Sequence, residues 1–263
     1  MDKYFSVFKI SLAHEFAYKL NFLIWRFRNI IQILVFFFLW SSVDSTYFGY
    51  SQSEIFAYAF LLIIIRSIVM STKANDVSGY VSSGELSNYL VKPINFFKYL
   101  LSKDLAVKML NIAFSFFEVT ILYLILKPNL FIQTNPIQLI LFIISLIFAV
   151  FIFFSIIILS SSAPFWVPEI GWGVQFLVIS IFVEFLSGAF FPLDVFPKPI
   201  YEFLKLTPFP YLVFIPIKTY LGNMSTFETT KNLLLGGLWT IILWLLMNKV
   251  WKKGLKVYEA FGR

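Results

Sequence analysis

PIQLILFIISLIFAVFIFFSIIILS, residues 136–160, runs for 25 residues without one Asp, Glu, Lys or Arg. A spanning helix needs about 20 mainly apolar residues to cross a bilayer, and this stretch exceeds that length. Working outward, similar runs recur at residues 105–126 and 54–72 before it, and at 171–191 and 233–251 after it. A first run covers residues 21–43, with Trp25, Arg26 and Arg28 at its inner edge. The pattern predicts an all-α integral membrane fold of six spans. Composition agrees: 59% of residues are hydrophobic, 13% are charged and the mean hydropathy is +0.83. A soluble domain carries about half apolar and about a quarter charged residues, so the apolar surplus must face lipid. The absence of cysteine excludes disulfides and thiolate metal sites, and His14 is the only histidine.

The net charge of +7 is spread through short segments between the apolar runs, the signature of membrane orientation rather than of nucleic-acid binding. The N-terminal segment, the loop 73–104 and the C-terminal tail hold fourteen Lys and Arg, among them Lys3, Arg28, Lys73, Lys92, Lys103, Lys253 and Arg263. The alternate side holds Lys127, Lys198, Lys205, Lys218 and Lys231. The richer side is expected to be cytoplasmic, with both termini there, in the cytoplasmic (inner) membrane. Lys3, Lys9, Glu15 and Lys19 interrupt the first twenty residues, so no cleavable signal is expected and the first span stays in the mature protein.

Residues 1–20 carry Phe5, Phe8, Leu12, Phe16 and Leu20 at helical spacing, which favours an interfacial helix on the inner leaflet with Lys9 and Lys19 snorkelling from the same arc; the alternative is that the first span simply begins early. Residues 192–231 carry Pro192, Pro197, Pro199, Pro208, Pro210 and Pro216, which forbid a continuous helix. The same stretch is too apolar for a solvated loop, so short re-entrant helices at the outer side are expected. No repeat or linker divides the chain, and residues 1–263 read as a single transmembrane domain.

Gly79 and Gly84 have the glycine spacing of a phosphate loop, but Glu85 and Leu86 follow where Lys and Ser or Thr are needed. The H-E-x-x-H and G-x-S-x-G patterns are absent. Asn223-Met224-Ser225 fits a glycosylation sequon, a tripeptide that chance often produces. Three charges lie inside spans: Arg66, Glu118 and Glu184. Each costs about 2.5–3.5 kcal/mol near the bilayer centre and must face protein or water. The helical rise places Glu118 and Glu184 at similar depth, past the midplane, and Arg66 nearer the cytoplasmic edge. The two carboxylates either line a pathway or subunit contact, or make structural hydrogen bonds. Arg66 can snorkel.

The loop 73–104 contains Gly84-Glu85-Leu86-Ser87-Asn88-Tyr89-Leu90-Val91-Lys92-Pro93. It reads as a short helix opened at Gly84 and closed by Pro93, with Leu86, Tyr89 and Leu90 on one face. That face either docks into a partner's groove or rests on the membrane and neighbouring helices.

With this motif the chain resembles the permease subunits of ABC-2-type transporters. The resemblance rests on the N-terminal helix, six spans and the loop pattern G-E-L-x-x-Y-L-x-x-P. It rests equally on Ser187-Gly188-Ala189-Phe190-Phe191-Pro192-Leu193, which closes the fifth span before the Pro-rich segment. It implies that the loop after the second span is a coupling helix docking on a separate ABC ATPase subunit, through Gly84, Glu85, Leu86, Tyr89, Leu90 and Pro93. Gly188, Phe191 and Pro192 would shape the outer end of the pathway. Any ATP would be bound by that partner, with no cofactor, metal or catalytic residue on this chain. The branch it is most similar to pairs two unlike permeases, so a second permease, as a hetero- or homodimer, is implied.

The aromatic spans, such as Phe114, Phe116 and Phe117, favour an exported hydrophobic or amphipathic compound. The alternatives are an ion-gradient-driven carrier, a membrane enzyme acting on lipid, and a scaffold without an ATPase partner. A carrier predicts inverted repeats and broken midplane helices. The enzyme would need a cluster of His, Asp, Ser or Lys at one depth, where only His14 stands, at the N-terminus.

Overall fold

The computed structural model describes residues 2–17, 19–42 and 49–258, and the side chains of these except 2, 16–17, 19–23 and 25. The expected end of the first span at Val43 and the basic Arg263 lie outside the described residues, as do the side chains of Phe16, Leu20 and Trp25.

Helix α1, Asp2–Ala17, leads into α2, Lys19–Ser41. Polar contacts tie α1 to the loop that follows the second apolar run. Lys3 Nζ donates to the Pro93 carbonyl at 2.8 Å, Asn95 N donates to Tyr4 Oη at 3.0 Å, and Glu15 pairs with Lys73 at 2.7 Å. On its other side Phe5 is exposed and stacks on Phe8, with Lys9 over the Phe5 ring. An apolar side chain with a cationic neighbour suits the headgroup boundary.

Helix α3, Gln52–Ile65, starts at a capping box in which Ser51 and Glu54 satisfy each other's backbone donors. Its sequence from Ile55 to Ile65 is apolar all round, which suits either protein or lipid on every side. It lies at the bundle's centre, with ten of these eleven residues buried, against α2 and the helices described next. It ends in a π turn, Arg66–Met70. A 3₁₀ turn, then α4, Val77–Ser82, and α5, Ser87–Leu90, connect to α6, Phe96–Leu126.

Helix α6 starts nine residues before the expected span boundary at residue 105. Asn95 caps it by accepting from Lys98 N, and Phe96 and Leu100 are buried while Lys98 and Lys103 turn outward. Hydropathy marks where hydrocarbon begins, whereas the cap marks where the helix begins. Residues 96–104 therefore belong to α6 rather than to a loop.

Helix α7, Pro136–Ser161, opens on an Asn135 cap with proline at its first position, where the missing N–H costs nothing. Pro164 and Pro168 then hold the chain in 3₁₀ turns. The fifth apolar run is shorter than the expected 171–191. It comprises α8, Gly173–Leu177, a π turn, Val178–Val183, and α9, Glu184–Leu186. At 1.5 Å per residue these fourteen residues reach about 21 Å, short of the ~30 Å hydrocarbon core.

Gly188 ends this run with φ +87°, and its carbonyl accepts from Tyr58 Oη at 2.7 Å. A Cβ there would stand 2.8 Å from both Tyr58 Oη and Phe214 Cβ. Beyond it the Pro-rich segment forms α10, Lys198–Lys205, a 3₁₀ turn, Phe209–Leu212, and α11, Phe214–Leu221. Helix α11 is buried against α7 and α3, the condition under which irregular backbone survives at membrane depth. Helix α12, Thr226–Val257, starts at a second capping box, Ser225 with Glu228, and packs along α7. Residues 226–231 are its first turns, and the expected start at residue 233 lies inside it.

Among the described residues the fold is all helical. Four helical stretches are long and apolar enough to cross a membrane: Gln52–Met70, Phe96–Leu126, Pro136–Phe165 and Thr226–Val257. Gly188→Ala should destabilise the bundle by about 1–3 kcal/mol, through a left-handed backbone and overpacking. Denaturant titration of the purified protein in mixed micelles checks this; an unchanged midpoint would show that α3 and α11 do not clasp the glycine this closely.

Candidate functional site

Helix α6 builds the site. Asp104, Lys108, Asn111, Ser115 and Glu118 alternate at spacings of four and three, so they share one face of the helix. Asp104, Lys108, Ser115 and Glu118 are all buried. Lys108 Nζ donates to the carbonyls of Ile68 (2.7 Å) and Ser71. A cation suits the C-terminal end of α3, where carbonyls lack helical partners. Asp104 accepts from Thr72 Oγ1 and from Lys73 N, both at 2.6 Å. Helix α6 thus holds the last turn of α3 and the first residues of the loop together.

Higher on the stripe, Arg26 of α2 reaches Glu118 at 3.2 Å, with each side chain about 8% exposed. Its guanidinium also donates to the Asn111 carbonyl and Oδ1. Ser115 Oγ lies 2.5 Å from Ser67 Oγ of the π turn in α3. A second ion pair joins the two π turns. Arg66, the first residue of one, grips Glu184, the residue just after the other, through Nη1–Oε2 (2.8 Å) and Nη2–Oε1 (2.5 Å). The forked geometry is the strong form of this contact. Arg66 and Glu184 therefore meet, although the sequence suggested different depths for them.

These pairs border a cavity of about 690 Å³ between α1, α2, α3, α6, α7 and the α8–α9 run. Its polar lining includes His14, Glu15, Arg26, Arg28, Asn29, Arg66, Lys73, Asn111 and Glu184; Met70, Val107, Phe153 and Ile179 supply apolar wall. The volume lies in the range of small-molecule sites. Among the described residues no group of three or more His, Asp or Glu could hold a metal ion.

The loop from Gly84 to Pro93 is arranged differently from a docking helix with one apolar face. The helical part, α5, is only four residues long. Gly84 adopts φ +80°, and Leu86 N donates to the Tyr80 carbonyl at 2.9 Å, which folds Leu86 inward until it is wholly buried. Tyr89 packs into a ring cluster with Tyr80, Phe96 and Tyr99, where burial pushes the Tyr80 phenol up. The expected shared face of Leu86, Tyr89 and Leu90 is therefore split, because Leu86 precedes the helical residues and is turned inward by its bond to Tyr80, while Leu90 at the helix end faces out. Leu90 is 44% exposed and Val91 83% exposed, flanked by exposed Glu85, Asn88, Lys92 and Pro93. Val91, missed in the sequence, is the most prominent hydrophobe of this edge. Its signal was an apolar residue directly before Lys-Pro.

At the opposite end Gly188 and Pro192 are buried, and Phe191 packs on Phe196. Asp194, two residues on, accepts from Tyr50 Oη (2.9 Å) and pairs with Lys218 (3.0 Å), fastening this segment to α3 and α11.

Long apolar helices, four of them among the described residues long enough to cross a bilayer, define a multi-pass membrane protein. Residues 24–262 match the family described as ABC-2 family transporter protein, and the chain belongs to that family. No curated protein matches it.

Arg26→Met should cost about 3–5 kcal/mol by leaving Glu118 buried without its counter-charge, and Arg26→Met with Glu118→Leu should recover most of that. Unfolding in micelles measures both; a double variant as unstable as the single one would show that the pair is not the unit at stake.

Proposed function

We propose that this chain is the permease subunit of an ABC transporter and exports a hydrophobic or amphipathic compound, using ATP bound and hydrolysed by a separate ATPase subunit. Six spans are assigned: α2, α3 with its π turn, α6, α7, the α8–α9 run and α12. Both termini and the α4–α5 loop face the cytoplasm, where the basic residues concentrate. Helices α10 and α11 form a re-entrant cap at the outer side, and a second permease, alike or unlike, completes the membrane core.

The observation that carries this reading is the exposed apolar Leu90–Val91 edge on a loop that Leu86 anchors from within. Tyr89 anchors the loop to α6 through Phe96 and Tyr99, while Asp104 and Lys108 of the same helix hold the loop's start and the π turn of α3. A push delivered at Leu90–Val91 therefore reaches Arg66 through contiguous contacts. Gly84, Glu85 and Pro93 shape the edge, and Gly188, Phe191 and Pro192 the far end of the pathway.

An ion-gradient carrier would need carboxylates that exchange their charge partners with an ion. Glu118 and Glu184 are each held by an arginine, which speaks against that alternative.

Leu90→Asp and Val91→Asp should each abolish export and weaken capture of the ATPase by at least about tenfold, or 1.4 kcal/mol, while membrane insertion stays normal. Co-purification from mild detergent measures capture. Full ATPase capture by both variants, or no ATPase with the unaltered chain, would overturn the assignment.

A further inference from the structure

Helix α12 is divided lengthwise. The side turned to the bundle carries Leu243, Met247, Trp251 and Gly254, all buried. The opposite side carries Leu234, Leu238, Ile241 and Leu245, all exposed, and continues as Lys249, Lys252, Lys253 and Lys256, also exposed. At 3.6 residues per turn the four lysines share an arc of about 100°. Among the described residues none of them joins an ion pair. From residue 249 to 263 the sequence holds five Lys and Arg against Glu259.

Two observations set the depth of this stripe. Lys231 and Lys249 bracket the apolar length of α12, eighteen residues apart. At 1.5 Å per residue that is about 27 Å, close to the ~30 Å hydrocarbon core, so Lys249 stands at a headgroup layer. The adjoining turn agrees. Phe165 fills the space that Gly254 leaves and meets the rings of Trp251 (5.1 Å) and Tyr258 (5.7 Å). Its neighbour Trp166 and nearby Trp172 are half exposed, at 49% and 55%. Indole rings in that state belong at the membrane–water boundary.

We propose that this end of α12 is a docking surface for anionic phospholipid, with phosphate heads on Lys249, Lys252, Lys253 and Lys256 and an acyl chain along Leu238, Ile241 and Leu245. Membrane orientation requires only that basic residues lie on one side. Their collection on the arc facing away from the bundle, below an exposed apolar stripe, is what lipid docking requires. A zwitterionic head brings a cancelling ammonium, so clustered lysines select net negative charge. Phe165, and the bond from Ser78 Oγ to the Gly171 carbonyl (2.5 Å), join this end of α12 to α4. Docked lipid therefore also steadies the loop that carries Leu90 and Val91.

The test uses the full-length chain in vesicles of equal parts phosphatidylglycerol and phosphatidylcholine, with bromine on the acyl chains of one lipid or the other. The sequence has no cysteine, so Leu245→Cys gives a single site for a fluorescent label above the lysines. Bromine on phosphatidylglycerol should quench the label with an apparent association at least about threefold stronger than bromine on phosphatidylcholine. Added salt should reduce that ratio. Lys252→Gln with Lys253→Gln should bring it close to one. Lys9→Gln with Lys92→Gln, an equal loss of charge elsewhere, should leave it unchanged.

Equal quenching by the two lipids overturns the proposal, as does an equal loss of preference in the two double variants. A label shielded from both lipids would show that a protein partner, a second permease or a second copy, covers this face, and would overturn it too. The vesicles hold no ATPase, so failure here is distinct from failure of the permease assignment, which co-purification decides.

Discussion

A charge can enter hydrocarbon only in company, and that constraint organises this bundle. Glu118 would be costly on α6 alone, and Arg26 equally so on α2. Together, with Asn111 beside them, they become a fixed point between the two helices. Lipid tails are as apolar as leucine, so hydrophobic burial does little to choose one helix neighbour over another inside a membrane. The polar contacts choose. Arg26–Glu118, Arg66–Glu184 and Ser115–Ser67 specify that α2, α3, α6 and α9 meet, and at which height.

Helix α6 is the keel of the arrangement. Its buried stripe engages α2 and α3 and the start of the loop, while its remaining faces carry exposed Leu105, Phe116, Phe117 and Ile125 toward lipid. One helix therefore answers to two solvents at once. Apolarity alone does not decide between protein and lipid: α3, apolar on every side, lies inside, whereas equally apolar α7 has one buried side and one exposed side.

The sequence made the long apolar runs plain, because hydropathy over some twenty residues is a strong signal and α7 falls within one residue of its expected end. It also pointed to the loop motif and to the family. The partners of the charges were harder to see. Asp104, Lys108, Asn111, Ser115 and Glu118 repeat at helical spacing, yet Asp104 fell just outside the apolar window and the stripe was cut at its first member. Arg66 and Glu184 are 118 residues apart, and no local pattern announces their pairing. The short fifth run was misjudged because Ser187 to Phe191 is apolar enough to extend a hydropathy window, while Gly188 has already turned the backbone out of the helix. Leu86 was placed on an exposed face because a four-residue helix has too few turns for periodicity to separate inside from outside.

The brevity of the α8–α9 run has a consequence for the surrounding membrane. Its fourteen residues fall about 9 Å short of the usual hydrocarbon thickness. Beyond Leu186 the depth is occupied by bent backbone, whose Ser187 and Gly188 carbonyls are satisfied by Phe214 N and Tyr58 Oη. In the six-span assignment proposed above, acyl chains beside this run would meet a helix of reduced height, and the bilayer would thin locally to match it.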